Sequence, residues 1–401
     1  MQKKKWTKKR HQLVMALVRI VIKPLAWIKF KFKYEKLNNK KTPYLIFYNH
    51  QTVWDQFLVG LMCSNKTYYV MSDDLTTIKF ASRVLNFLLH PIPYKKSSTD
   101  FTILRVCRQV ALEGGSIAIS PEGNRTYSGK TEYIKFSTIK MVKFLKLPLA
   151  ILHIKGGYGA FPRWSNKSRK GKIEGSVYKI YQYEEYKDIP DEKLYQMICD
   201  DLYVDESISS GPFKSKRSAE YLERVIYNCP QCGFTHFKSN KDLLKCTTCN
   251  MTLKYNEFKQ FEGIDCQAPF QNVNEWYEYQ IAELFKLELL SLDTNKVLFE
   301  DQVRFFEIIP RKKKKLIDKN AILIMYSNRI EVVHNNTIDI YMFDEMSSSG
   351  VFGKNKVNFF LKDKTYQFKG DVSFNAVKYV NLYYKYKIEK GEEKDDKFLG
   401  L

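Results

Sequence analysis

Two apolar runs lead directly into polar turns rich in chemistry, and this pairing constrains the chain more than anything else in it. Tyr44-Leu45-Ile46-Phe47-Tyr48 runs into Asn49-His50-Gln51-Thr52-Val53-Trp54-Asp55. Some seventy positions on, Ser116-Ile117-Ala118-Ile119 runs into Ser120-Pro121-Glu122-Gly123-Asn124-Arg125-Thr126. Short continuous apolar runs bounded by turn residues read as buried strands. Helical patterns lie between and after them, from Val53 to Met62, Ile78 to Leu89, Phe101 to Glu113 and Ile139 to Leu145. Further strands are expected at Tyr68–Met71 and Leu149–Ile154, and His90-Pro91-Ile92-Pro93-Tyr94 reads as a break. This alternation indicates an α/β layered domain. Ligands in such sheets bind beyond the carboxyl ends of the strands, where both motifs fall.

Taking a proton from a hydroxyl needs a base and a group to orient the base. His50 and Asp55 supply the two. Their five-residue offset separates them by about 140° on a regular helix. They meet only if His50 lies in the turn and Asp55 on the first helical turn. In the second motif Pro121 and Gly123 shape a tight turn, and Arg125 has the planar fork that grips phosphate. Glu122 is placed to bind an acceptor hydroxyl or to pair with Arg125.

The order and spacing of the two motifs resemble the glycerolipid acyltransferases, which acylate lysophosphatidic acid and related lysolipids. That family writes them N-H-x-x-x-x-D and F-P-E-G-T-R-S. Ser120, Asn124 and Thr126 depart from the second pattern, while Pro121-Glu122-Gly123-x-Arg125 keeps it. Ile92-Pro93-Tyr94-Lys95-Lys96 occupies the place of an I-P-V-D-R-like segment, with Lys96 on the arginine position. The resemblance covers about residues 40–165. It implies a catalytic pair, His50 and Asp55, and a substrate site with Lys96, Glu122, Gly123 and Arg125. It implies an acceptor such as 1-acylglycerol-3-phosphate, giving phosphatidic acid, and a donor that is acyl-CoA or acyl-acyl carrier protein.

The chain carries a net charge of +22, which points to an acidic partner. Residues 1–40 hold thirteen Lys or Arg against one acid, Glu35, and so supply +12 of it. The charge flanks an apolar run from Leu13 to Ile28 that contains Arg19, Lys23 and Pro24. That run is shorter than the roughly 20 apolar residues of a spanning helix. It reads as a basic helix lying in an anionic membrane surface, with Trp27 at headgroup depth. Arg311-Lys312-Lys313-Lys314-Lys315 is a second basic run suited to anionic headgroups.

Cys229-Pro230-Gln231-Cys232 and Cys246-Thr247-Thr248-Cys249 form two C-x-x-C knuckles. That spacing predicts a structural zinc ribbon, with all four positions filled by sulfur. Cys63, Cys107, Cys199 and Cys266 are scattered, as suits a reducing compartment. After residue 284 short strands and one last helix, Phe374–Tyr384, suggest a β-rich domain resembling pleckstrin-homology or GRAM barrels.

The expected organisation is therefore a membrane-surface segment (1–40), an acyltransferase domain (41–215), a zinc ribbon (225–255) and a β-rich domain (284–390). The expected activity is that of a peripheral enzyme on the cytoplasmic face of the cell membrane. A zinc-ribbon nucleic-acid-binding protein is the alternative. The basic charge lies beside the apolar helix rather than on the ribbon, so no nucleic acid is expected. A catalytically idle membrane tether is a further alternative, disfavoured by the presence of both His50 and Asp55.

Overall fold

The computed structural model describes residues 5–38, 42–63, 66–72, 87–94, 102–208, 210–309, 314–362 and 364–392. Lys96, most of the helix expected over 78–89, and residues 311–313 of the second basic run lie outside these. Contacts divide the chain into two compact units. The first is Met1–Pro162 with Arg169–Phe213, and the second is Arg163–Ser168 with Lys214–Leu401.

The first unit is a seven-stranded sheet covered by helices. Its elements run α1 (Lys9–Phe30), β1 (Lys33–Tyr34), β2 (Leu45–Tyr48), α2 (Asp55–Met62), β3 (Thr67–Ser72), β4 (Ile92–Tyr94), α3 (Thr102–Leu112), β5 (Ser116–Ile119), α4 (Thr138–Leu145), β6 (Leu149–Lys155), α5 (Gly157–Ala160), β7 (Glu174–Tyr181), α6 (Tyr183–Tyr186) and α7 (Asp191–Leu202). The strand order is β1-β7-β6-β2-β5-β3-β4. All neighbours pair in parallel except β6 with β7. The segment from His90 to Tyr94 is thus not only a break. Ile92–Tyr94 adds an edge strand, which two prolines disguise and an edge tolerates.

Strand alternation sorts the core into two layers. Leu45 and Phe47 face α3, α4 and α7, burying Val110, Val142 and Ile198. Ile46 and Tyr48 face α1 and α2, burying Phe30, Leu58 and Met62. Apolar residues on both faces explain why β2 reads as a continuous hydrophobic run.

Helix α1 has two unlike faces. One carries buried His11, Ala26 and Phe30, and the Arg19 guanidinium donates to the Gly60 carbonyl of α2 at 2.8 Å. The other exposes Leu13, Leu17, Ile20, Val21, Trp27 and Ile28 along one stripe. An apolar stripe turned to solvent reverses the usual amphipathic rule. No helix among the described residues is long and apolar enough to cross a membrane.

The second unit opens with β8 (Asn228–Cys229) and β9 (Gly233–Phe234), then β10 (Phe237–Asn240), β11 (Leu243–Cys246), β12 (Thr252–Tyr255) and β13 (Phe261–Ile264). The last four form an antiparallel sheet in sequence order. The Tyr- and Glu-rich stretch after it is a helix, α8 (Val273–Phe285), whose N-terminus Asn272 caps by accepting from the Glu275 amide. Next come β14 (Phe299–Ile308), β15 (Lys315–Met325), β16 (Arg329–His334), β17 (Thr337–Met342), β18 (Met346–Val351), β19 (Lys356–Leu361), β20 (Thr365–Lys369) and α9 (Val377–Glu389). They form one antiparallel sheet ordered β17-β16-β15-β14-β20-β19-β18. Seven antiparallel strands followed by one helix bear out the β-rich domain anticipated above. Helix α9 packs on the sheet, with Tyr383 donating to the Met346 carbonyl at 2.9 Å.

His11 is fully buried, stacks on His90 at 5.4 Å and meets the Tyr68 hydroxyl at 3.3 Å. Burial, then the charges of His90, Arg10 and Lys8, lower its pKa from 6.5 to about 4. The unfolded chain therefore takes up a proton near pH 6.5 that the folded chain refuses until about pH 4. Stability should fall as pH drops through that window. His11→Gln keeps a partner for Tyr68 and does not titrate, so urea midpoints of this variant should depend less on pH.

Candidate active site and cysteine cluster

Adjacent parallel strands β2 and β5 deliver the two motifs side by side, because their carboxyl ends point the same way. His50 leaves β2 in the turn, and Asp55 is the first residue of α2. Their side chains meet, with His50 Nδ1 2.8 Å from Asp55 Oδ2. The same oxygen accepts the Gln51 and Thr52 amides at 2.7 and 2.9 Å. Asp55 is fully buried, whereas 16% of the His50 side chain remains exposed. A carboxylate at Nδ1 holds the proton there and leaves Nε2 as the basic nitrogen. This is the geometry of a base with its orienting partner.

Glu122 joins the two motifs. One carboxylate oxygen accepts the His50 amide at 2.6 Å and the other accepts the Glu132 amide at 2.7 Å. Thr126 closes the loop by donating its amide to the His50 carbonyl at 3.1 Å. Burial pushes the Glu122 carboxyl well above its ordinary range, against the two amides that favour its charged form. Gly123 follows with φ of 72°, a left-handed turn that suits glycine. Arg125 lies half-buried on the same loop, next to Thr126. Both carboxylate oxygens of Glu122 thus accept backbone amides, a bracing role that neither sequence alternative contained.

Asn49 fixes the other flank. Its side chain donates to the Ile154 carbonyl at 2.9 Å and accepts the Ile154 amide at 2.7 Å. These bonds tie the end of β2 to β6. Sequence reasoning gave no partner for Asn49. It missed Thr126 and Glu132, which act through backbone amides and so carry no side-chain signature.

In the second unit Cys229, Cys232, Cys246 and Cys249 bring their four sulfurs within 4.8 Å of one another. Cys229 and Cys249 are 3.8 Å apart. Four sulfurs at about 2.3 Å from a tetrahedral zinc lie about 3.8 Å from each other, so the cluster fits such an ion. Each knuckle ends in a left-handed residue, Gly233 with φ of 73° and Asn250 with φ of 65°. His236 is exposed and is not part of the cluster.

Residues 29–152 match the family model described as Acyltransferase, a span that contains both motifs. The match lies within the first unit. The crystal structure of a 1-acyl-sn-glycerophosphate (LPA) acyltransferase, PlsC, from Thermotoga maritima is similar over 48% of this chain and 78% of that one, at 17% identity and a TM-score of 0.42. That likeness is too loose to position any side chain. No curated protein sequence matches the chain.

If Asn49 anchors the His50 loop to β6, removing it has a defined cost. Asn49→Ala leaves a buried amide and a buried carbonyl of Ile154 unpaired, which should destabilise the fold by about 2–4 kcal/mol. Urea denaturation measures this directly, and an unchanged midpoint would refute the anchoring role.

Proposed function

We propose that this chain transfers a fatty acyl group from a thioester to a lysophospholipid hydroxyl at a membrane surface. The observation that carries the reading is the His50–Asp55 pair, oriented at 2.8 Å inside the span matched as an acyltransferase. His50 Nε2 removes the acceptor hydroxyl proton as that oxygen attacks the thioester carbonyl carbon. The carbon–sulfur bond of the tetrahedral intermediate then breaks, and the leaving thiolate takes the proton back from Nε2. Asp55 holds the imidazole orientation and balances its transient charge. No nucleophilic side chain is required.

The donor is acyl-CoA or acyl-acyl carrier protein, and the acceptor is 1-acylglycerol-3-phosphate. Arg125 and Lys96 bind its phosphate, Arg125 through two parallel bonds and Lys96 as a point charge. Glu122 and Gly123 shape the loop that presents Arg125. His50→Ala should lower turnover by about two to four orders of magnitude, as for loss of a general base. Arg125→Ala should raise KM for 1-acylglycerol-3-phosphate and leave an uncharged monoacylglycerol unaffected. Equal impairment of both acceptors would remove phosphate from the assignment.

The apolar stripe of α1 supports peripheral attachment to an anionic cytoplasmic leaflet. Phe30 at the end of α1 packs edge-on to Trp54 at 5.4 Å, so the helix ends close to the base loop. The opposite face of α1 is part of the core, so substitution is the right test rather than deletion. Serine at Leu17, Ile20 and Trp27 together should weaken binding to anionic vesicles by about tenfold or more while the fold survives. Unchanged sedimentation with vesicles would place the attachment elsewhere.

The four cysteines hold a structural zinc in this reading. With four sulfur ligands it has no open position for catalysis and serves to fold the ribbon. Metal analysis should find one zinc per chain, and Cys229→Ser should release it.

A further inference from the structure

The large sheet of the second unit carries a row of positive charge on the face turned from its core. Arg304 of β14 lies opposite Lys369 of β20, and Lys369 lies opposite Lys356 of β19. Residues directly opposite share a face, and neighbouring strands are about 4.8 Å apart. The three cations therefore leave one face within about 10 Å of strand width. Their chain neighbours Phe305, Phe368 and Val357 form the adjacent row and are fully buried, so the cations point outward.

Like charges placed directly opposite destabilise a sheet. Neither the next outward row (Phe306, Gln367, Asn358) nor the one after it (Ile308, Thr365, Phe360) holds an acid. Acids on the flanking segments are engaged elsewhere. Glu307 faces Lys315 at 4.0 Å, Asp371 accepts the Ser373 amide at 2.8 Å, and Asp318 accepts the Asn320 and Asn335 amides at 2.8 and 3.0 Å. Among the described residues Arg304, Lys356 and Lys369 form no ion pair. A fourth cation reaches the same face, because Lys314 donates to Gln367 Oε1. The Lys314 and Lys356 ammonium groups lie 5.4 and 5.2 Å from the centre of the Phe352 ring. Burial first, and then the Lys369 charge, lower the Lys356 pKa below that of an ordinary lysine.

The polar floor also turns donors outward. Lys314 marks the oxygen end of the Gln367 amide, and Gln367 Nε2 donates to Asn358 Oδ1 at 2.7 Å. Asn358 Nδ2 is left without an acceptor among the described residues. Gly350, opposite Asn358 on β18, leaves room beside it: a methyl group there would meet no heavy atom within 4 Å.

We propose that this face binds a phosphate monoester, whose dianion bridges Lys356 and Lys369 and takes two parallel bonds from Arg304. Such a group carries close to two negative charges at neutral pH and three strong acceptor oxygens. Arginine grips it through its planar fork and lysine as a point charge. A carboxylate has half that charge, and a metal ion has the wrong sign. The same group comes on a free sugar phosphate or on a lipid headgroup. The site is separate from the acyl-transfer reading and uses none of its residues.

Two arms read the binding at constant ionic strength. One is calorimetric titration of the full chain with glycerol 3-phosphate. The other is sedimentation with phosphatidylcholine vesicles containing phosphatidic acid. Lys369→Gln and Arg304→Gln should each weaken one arm by about tenfold or more, and the arm that responds names the source. Lys369→Arg should bind as the wild type does. Dimethyl phosphate, a monoanionic diester, should bind at least about tenfold more weakly than glycerol 3-phosphate if the free ester responds. The first unit is unaltered in these variants, so any phosphate bound there survives them and is told apart. Lys369→Gln relieves opposed like charges and should not lower the urea midpoint. Wild-type affinity of folded Lys369→Gln and Arg304→Gln in both arms would overturn the proposal, as would equal binding of the diester. If Lys369→Gln does not fold, Arg304→Gln at its exposed position decides alone.

Discussion

Both oxygens of the Glu122 carboxylate are occupied by backbone amides, one from the base loop and one from Glu132. The site of the first unit depends on this link. Parallel neighbours β2 and β5 bring two loops to one edge of the sheet, but a shared edge fixes loops only to within a few ångströms. The Glu122 bond to His50, the Thr126 bond to the His50 carbonyl and the two Asn49 bonds to Ile154 remove that freedom. The imidazole then needs only Asp55 to set its plane. Burial makes the Glu122 charge costly, and the two amides recover only part of that cost where the fold needs a joint.

The α/β character of the first unit was legible because its central strands are buried on both faces and its helices are amphipathic. β2 and β6 are apolar at nearly every position, and α3 carries an apolar face at helical spacing. The second half of the sheet was harder to read. β7 pairs antiparallel with β6 and keeps one open face, so Tyr178, Lys179 and Ile180 give no continuous apolar run. In the second unit β14 has the right alternation at Phe299, Val303 and Phe305. Asp301 occupies the inward position between them, which makes sense only once Lys378 is seen beside it. β18 reads Met-Ser-Ser-Ser-Gly-Val, a turn composition, and is held as an edge strand by β19. The terminal helix begins at Val377 rather than Phe374, because Asn375 caps the Val377 and Lys378 amides.

The candidate site divides along a similar line. Side chains proposed to act by their own chemistry, such as His50, Asp55 and the four cysteines, announce themselves by type and spacing. Groups that act by holding backbone do not. Glu122 was noticed for its charge and given a substrate role, yet its neighbours show a carboxylate occupied by the protein itself. Thr126 and Glu132 contribute only peptide amides, and any residue other than proline has one. Such contacts depend on which loops the topology places together, and a single sequence carries no direct trace of that.

The Glu122 link also limits how this protein can be changed. The amide and the carbonyl of His50 are both bound by the second motif, so the base cannot be re-aimed by altering its own loop. Substitutions in this loop would do better at residues whose side chains are not part of this clasp. Ser120 is such a position: it is nine-tenths buried just ahead of Pro121, and its hydroxyl makes no hydrogen bond to the described residues. The loop therefore combines a backbone clasped from both sides with a buried side chain open to exchange, so its shape and its chemistry can vary separately.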